Sequence, residues 1–332
     1  MLLEHKKGSI LILSIWTIFF LSTLSIILGY NIRGKLHLIK HIEQLNTSFY
    51  LHQLAIKKSI AEILKSKKDS CAFLGNKNDI NLFGENEINF CDVPNAIHKA
   101  QIYNNLKHYY GIFDEERKIN INIASQDLLT RLFQTVLGVD KIEAQELAAS
   151  IIDWRDTDSF LSIPFGSAED NYYRALLHPY EAKDAPFEVL EELLLVKGMN
   201  IDYFEKIKRF VTIYGDGKIN INTAPREIFL AVGLNERTVA KFLSFRNGRD
   251  GIEGTSDDIV FSRYEDIILI LKNSGVFNDN ELVPLTAAVE QYFKANSEFF
   301  LVKSYVLVQD KMSSSAYFIV NLDGKILYQR QV

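Results

Sequence analysis

Hydrophobic positions along this chain follow three different periods. Ser9 to Ile32 is a run of twenty-four residues without a charge. At 1.5 Å per residue, a helix of that length crosses a hydrocarbon core of about 30 Å. Between Lys35 and Lys68 there is no Pro or Gly, and apolar residues recur at Leu38, Ile42, Leu45, Phe49, Ile56, Ile60, Ile63 and Leu64. That spacing predicts one apolar helix face. The two patterns join into a single helix over about 9–65, with 9–32 in lipid and the rest packed on a domain. The third period is alternation. FFLVKSYVLVQ, AYFIVNL and KILYQRQ, with Asp323-Gly324 between the last two, read as a C-terminal β-meander. HYYGIFDEERKININI reads as a hairpin, with strands Tyr109–Phe113 and Ile119–Ile121 around Asp114–Arg117. Residues 120–295 are mostly helical in pattern. The expected fold is therefore α+β: a sheet domain from 66–117 and 296–332, interrupted by a helical insertion over 118–295.

The insertion contains a repeat. KININIASQDLL (118–129) returns as KININTAPREIF (218–229), one hundred positions later. In each, an extended Asn-Ile-Asn leads to a capping candidate (Ser125, Thr223) and an acid in the first turn of a helix (Asp127, Glu227). A glycine turn follows at Gly138 or Gly233, then a second helix ending at Arg155 or Arg246, with a third, partial unit turning at Gly198. The pattern resembles the helix-hairpin-helix fold. DNA-binding versions use two glycines in the turn so that backbone N–H groups reach a phosphate. Here each turn has one, and acids outnumber the nearby Lys141, Lys197 and Arg237, so a structural role is favoured.

The 332 residues are 47% hydrophobic and 24% charged, which excludes disorder and disulfide-dense miniproteins. A mean hydropathy near zero excludes a polytopic membrane protein. Beyond residue 40 the chain has 32 basic against 41 acidic residues, net −9, a poor general binder of nucleic acid or anionic lipid. Lys6 and Lys7 hold the N-terminus in the cytoplasm and place the bulk of the chain across the membrane. There, Cys71 and Cys91 in the polar stretch 66–95 are expected to form a disulfide worth about 3 kcal/mol. Two buried thiols are the alternative. Carboxylates concentrate in two loops: Asp153, Asp156, Asp158, Glu169 and Asp170, then Asp250, Glu253, Asp257 and Asp258. Flexible, oxygen-rich loops suit calcium, but neither matches an EF-hand, and solvated loops with capping aspartates explain them equally well. No nucleophile elbow, phosphate-cradling glycine loop or CxxC is present, so no catalytic constellation stands out.

The basic leader ends in Lys7-Gly8 and the apolar run begins at Ser9. This junction resembles the processing site of type IV prepilins and pseudopilins. The fifth residue after it, where most such subunits carry Glu, is Leu13. The stretch IIDWRDTDSFLSIPFGSAEDNYYRALLHPYEAKDAPFEVLEELLLVKGM is similar to the helical domain of the minor pseudopilin K family of bacterial type II secretion systems. Asp153-Trp154-Arg155-Asp156, Ala168-Glu169-Asp170, Tyr172-Tyr173, Ala185-Pro186-Phe187 and Val196-Lys197-Gly198-Met199 carry the similarity, as does DEERKININ at 114–122. The resemblance implies an inner-membrane subunit with its bulk in the periplasm. It implies cleavage after Gly8 by a prepilin peptidase, with methylation of the new N-terminus at Ser9. A place at the pseudopilus tip beside I- and J-type subunits would follow, in support of folded-protein export. It also tips the first acidic cluster toward structural calcium (Asp153, Asp156, Asp158, Glu169, Asp170), with Asp250, Asp257 and Asp258 a weaker second site. A membrane-anchored DNA receptor of a competence-like system, with a similar helix-hairpin-helix unit, is the alternative function.

Overall fold

The apolar and amphipathic stretches form one helix, α1 (His5–Ser66). The computed structural model describes residues 5–66, 99–103, 106–251, 253, 257–308 and 311–332. Cys71 and Cys91, and with them the expected disulfide, lie outside these residues. The chain divides into a unit ending at Leu54 and a second, Ala55–Val332.

In the first unit the backbone is helical through Gly8 and Ser9, and every large apolar side chain from Ile10 to Ile32 is exposed, Leu13 among them. Hydroxyls in this run bond back to the helix: Ser14 Oγ donates to the Leu11 carbonyl (2.8 Å), Thr17 Oγ1 to Ser14 (2.8 Å) and Thr23 Oγ1 to Phe20 (2.9 Å). A lipid-facing helix needs its polar groups satisfied within itself.

The second unit contains a five-stranded sheet of β1 (Lys99–Tyr103), β2 (Leu106–Asp114), and, after the helical insertion, three strands near the C-terminus. The order is β1-β2-β7-β8-β9, with β7 Phe299–Val308, β8 Lys311–Asn321 and β9 Ile326–Gln331, all antiparallel. The meander forms as the alternation predicts. In β7, Phe300, Val302, Ser304 and Val306 point inward, each separated by a half-buried residue. Phe300 and Val302 join Ile112, Ala316, Phe318 and Val320 in a core closed by Ile56 and Ile63 of α1. The Asp323-Gly324 turn lies against the same helical stretch. Gly324 has φ +80°, and a Cβ there would stand 2.9 Å from Ile60 Cγ2. Gly324→Ala combines a left-handed penalty of about 1–2 kcal/mol with a clash. We expect the urea midpoint of this variant to fall, and an unchanged midpoint would show that the turn can move off α1.

The hairpin expected over 109–121 does not form. β2 ends at Asp114 and pairs with β1 and β7, whereas Ile119–Asn120 (β3) pairs in parallel with Val211–Thr212 (β4). The charged stretch between them is not a solvated turn, because Asp114, Glu115, Glu116 and Arg117 are all buried. Asp114 Oδ2 accepts from Asn220 Nδ2 (2.9 Å), Thr223 Oγ1 (2.6 Å) and Ser297 Oγ (2.7 Å). Glu116 pairs with Lys294 (2.6 Å), which also bonds Asp216 (3.0 Å). The segment is the crossing where the chain leaves the sheet for the insertion.

The insertion carries helices α2 (Gln126–Leu137), α3 (Lys141–Arg155), α4 (Asp170–Arg174), α5 (Ile201–Ile207), α6 (Arg226–Ala231), α7 (Glu236–Arg246), α8 (Tyr264–Asn273) and α9 (Asp279–Tyr292). A second short parallel pair joins β5 (Ile219–Asn220) to β6 (Phe293–Lys294). These elements enclose one large core around Phe133, Trp154, Tyr173, Phe229, Phe242 and Phe293. The repeat is visible in space. Arg155 Nη2 donates to the Ala124 carbonyl (2.6 Å), and Arg246 Nη1 donates to Ala224 (2.7 Å). Gly138, Gly198 and Gly233 all adopt positive φ. Ser125 caps α2 by accepting from Leu128 N (3.3 Å). Thr223 does not cap: α6 follows Pro225 without a side-chain cap, and the Thr223 hydroxyl is spent on Asp114.

Candidate cation-binding loops

The first acidic cluster is built where α3 ends. Asp153, fully buried on the last turn, accepts from the Ser162 amide (3.0 Å) and folds the following loop back over the helix. Asp156 is the C-terminal cap of α3, and Asp158 turns the chain by accepting from Phe160 N (2.8 Å). Lys197 Nζ then ties down the far side of the loop, donating to the carbonyls of Gly166 (2.9 Å) and Ser167 (3.2 Å). Glu169 follows at the N-terminal cap of α4. Oxygens of Asp156, Asp158 and Glu169 consequently lie within 4.8 Å of one another.

Nothing on the protein neutralises this group. Among the described residues, no Lys or Arg pairs with Asp153, Asp156, Asp158 or Glu169. The neighbouring cations are used elsewhere, Arg155 on Ala124 and Arg174 on Asp170 (2.8 Å) and Glu181 (2.6 Å). Glu169 is 6% exposed, and its Oε1 and Asp156 Oδ1 are buried without hydrogen-bond partners. Burial, then the charges of Asp153, Asp156, Asp184 and Asp158, push the Glu169 carboxyl up to about 7. Burial followed by Asp158, Asp153 and Asp184 takes Asp156 to about 6. Two orphaned carboxylate oxygens in a convergent, uncompensated set suit a hard divalent cation, with carbonyls and water completing six to eight ligands.

Asp170, expected in this group, is turned away: Oδ1 accepts from Ala182 N (2.9 Å) and Oδ2 meets Arg174. Sequence reasoning missed Asp184. Its charge acts on both Asp156 and Glu169, yet it stands alone in EAKDAP, fifteen residues beyond Glu169, where no local pattern links it to them.

The second loop brings Asp250, Asp257 and Asp258 within the same 4.8 Å. Here Asp257 Oδ2 accepts from Arg249 N (2.6 Å) and Asp250 N (3.3 Å), while Glu253 faces Arg246 (3.5 Å). Gly248, at φ +67°, lets the turn close, since a Cβ would lie 2.5 Å from the Asp257 carbonyl oxygen. These carboxylates are more exposed than those of the first loop. The two clusters hold equivalent places in the repeat. Each follows the second helix of a unit, and each faces a return segment gripped by an asparagine. Asn122 bonds both backbone groups of Phe187, and Asn222 both those of Phe261.

The hairpin turns are not shaped for phosphate. Asp140 accepts the amides of Ile142 (2.8 Å) and Glu143 (2.9 Å), and Asn235 accepts that of Thr238 (2.9 Å). The donors a phosphate would need are already taken, in the first turn by a negative charge.

A long apolar N-terminal helix, an antiparallel sheet and a helical insertion between two of its strands define a pilin-like α+β protein. Residues 103–216 match the family model of type II secretion system (T2SS) protein K, and this part of the chain is a domain of that family. The type II secretion system protein K of Pectobacterium carotovorum subsp. carotovorum is 27% identical over 185 residues, covering 54% of this chain and 51% of its own length. That of Klebsiella pneumoniae is 27% identical over 156 residues (40% and 47%), and that of Aeromonas hydrophila 34% over 101 (30% and 30%). The chain thus spans about half the length, or less, of these relatives. Among solved structures, the GspK-GspI-GspJ complex from the enterotoxigenic Escherichia coli type 2 secretion system has a chain that matches with TM-score 0.56 and 17% identity. The match covers 86% of this chain and 99% of that one. At that identity the likeness is one of fold.

Proposed function

We propose that this protein is a minor pseudopilin of a bacterial type II secretion system. It would be anchored in the inner membrane by residues 9–32, with its bulk in the periplasm, at the tip of the pseudopilus beside I- and J-type subunits. The protein K domain over 103–216, on a chain that also carries an exposed apolar helix, is the observation that supports this reading most directly. Burying a Leu, Ile or Phe side chain is worth about 1.5–3 kcal/mol, so the bare stretch from Ile10 to Ile32 calls for lipid or neighbouring helices. Leu13 gives that stretch no carboxylate to pair with a neighbour's N-terminus, which suits a subunit with none above it. The role is mechanical and associative rather than catalytic: the helix packs into the assembly and the insertion forms a broad cap. Calcium is the cation we assign to the first acidic cluster, held by Asp156, Asp158 and Glu169 with Asp153 bracing the loop. The second cluster is the weaker site. The turn amides closed by Asp140 and Asn235 disfavour the DNA-receptor reading.

Processing after Gly8 by a prepilin peptidase, with methylation of Ser9, belongs to the same proposal. Mass spectrometry of the protein purified from membranes should find a mature chain beginning at Ser9, and I- and J-type subunits should co-purify with it. An intact Met1, or a cut near Tyr30, would count against the pseudopilin assignment.

A further inference from the structure

Asn122 grips the chain with a side chain where a strand would use its backbone. Its Oδ1 accepts from Phe187 N (2.7 Å) and its Nδ2 donates to the Phe187 carbonyl (3.0 Å). Phe187 is buried in the insertion core, so the grip is fixed to a rigid body. Three residues earlier, Asp184 is held at a second point, its own amide donating to the Trp154 carbonyl (3.1 Å), two residues before Asp156. The Asp184 backbone is left-handed, φ +50°, a conformation Asp tolerates better than most residues but does not choose unaided. Lys183, the cation beside it, is drawn off to Glu192 (2.8 Å). The return segment therefore brings negative charge alone toward a group that already lacks a counter-ion.

We propose that Asp184 is a further carboxylate of the first cation site and that Asn122 is its positioning residue, acting by fixing the segment 184–187 against the end of α3. This rests on reading that cluster as a cation site, for which the buried, unpartnered Glu169 Oε1 is the independent observation. The physical reason is preorganisation. Like charges converge only if the backbone holds them there, and a neutral amide anchored in the core does so without adding charge of its own.

The test uses the full-length protein in detergent and terbium alone as probe, an ion that replaces calcium in oxygen-lined sites and luminesces when a nearby indole is excited. Trp154 adjoins Asp153, and the only other tryptophan, Trp16, lies in the apolar run, so indole-excited emission reports the first cluster. Asp184→Asn, at an exposed position where folding is not at risk, should raise the terbium dissociation constant about tenfold, and Asn122→Ala by a similar factor. In the Asp184→Asn background, Asn122→Ala should add less than about threefold, because the carboxylate it acts through is gone. Asn222→Ala, which removes the equivalent grip on the second loop, should leave the signal unchanged. Wild-type affinity in Asp184→Asn would overturn the proposal while the cation reading stands. Losses that multiply in the double variant, or an equal loss in Asn222→Ala, would make Asn122 merely structural and also overturn it. No indole-excited emission from the wild type would overturn the cation reading instead.

Discussion

Asp114→Ala is expected to lower the unfolding free energy by about 3–5 kcal/mol, the usual cost of removing one member of a buried charged network. One oxygen of this carboxylate collects Asn220, Thr223 and Ser297, and the other accepts the Glu116 amide (2.9 Å). Alanine would strand three side-chain donors in a site closed to water. Asp114→Asn should be milder, because the two hydroxyls can reverse their bonds and only the Asn220 amide meets another donor. Arg263→Ala removes an exposed pair with Asp266 (2.8 Å) and should cost less than about 1 kcal/mol. Urea unfolding followed by Trp154 fluorescence would rank the three. Equal midpoints for Asp114→Ala and Arg263→Ala would mean that the crossing is not a keystone of the fold.

Without divalent cation, stability should fall as pH rises through the window set by Glu169. Its folded carboxyl titrates at about 7 against an ordinary 4.5, so the folded chain holds a proton that the unfolded chain has already released. That contribution is complete below 4.5 and is lost as pH climbs through about 7. Asp156 adds the same sign between 3.8 and about 6. Together the two are worth on the order of 2 kcal/mol. Saturating calcium should reverse the slope, because the ion needs both groups deprotonated. At a hundredfold excess over its dissociation constant it adds about 2.7 kcal/mol. Thermal unfolding at pH 5 and pH 7.5, with calcium and with chelator, reads both effects, and Glu169→Gln should abolish most of each. Identical melting with calcium and with chelator at pH 7.5 would sink the calcium assignment.

Much of this architecture was legible in local patterns. The uncharged run, the helical spacing to Leu64 and the alternating strands from Phe299 onward each announce themselves within a dozen residues. The hundred-residue repeat placed Ser125 as a cap and predicted two equivalent hairpins. Its second copy misled at Thr223, because Pro225 sets the helix start there and Asp114 claims the hydroxyl. DEER at 114–117 looked like a solvated turn since nothing in those four letters reveals that Asn220, Lys294 and Ser297 arrive to bury them. The acidic site failed in the same way at both ends. Asp170, adjacent to Glu169 in sequence, points at Arg174, while Asp184 reaches the cluster only because Asn122 and Phe187 meet from sixty-five residues apart. Short-range signals specify elements, and partners joined across the core decide which charges stay exposed.

The crossing at Asp114 also bears on the order in which this chain can fold. β2 and β7 are neighbours in the sheet, yet Asp114 and its bonded partner Ser297 are 183 residues apart. Closing so long a loop in an open chain is entropically costly and slow. A prefolded insertion changes that problem, because it has its own core and delivers its two ends side by side at Asp114, Asn220 and Ser297. Glu115 N then reaches the Phe299 carbonyl (3.0 Å), and the two strands zip as though a short turn joined them. The sheet on which α1 packs would therefore be the last part to assemble, and damage to the insertion would be felt first as failure to complete the pilin-like body.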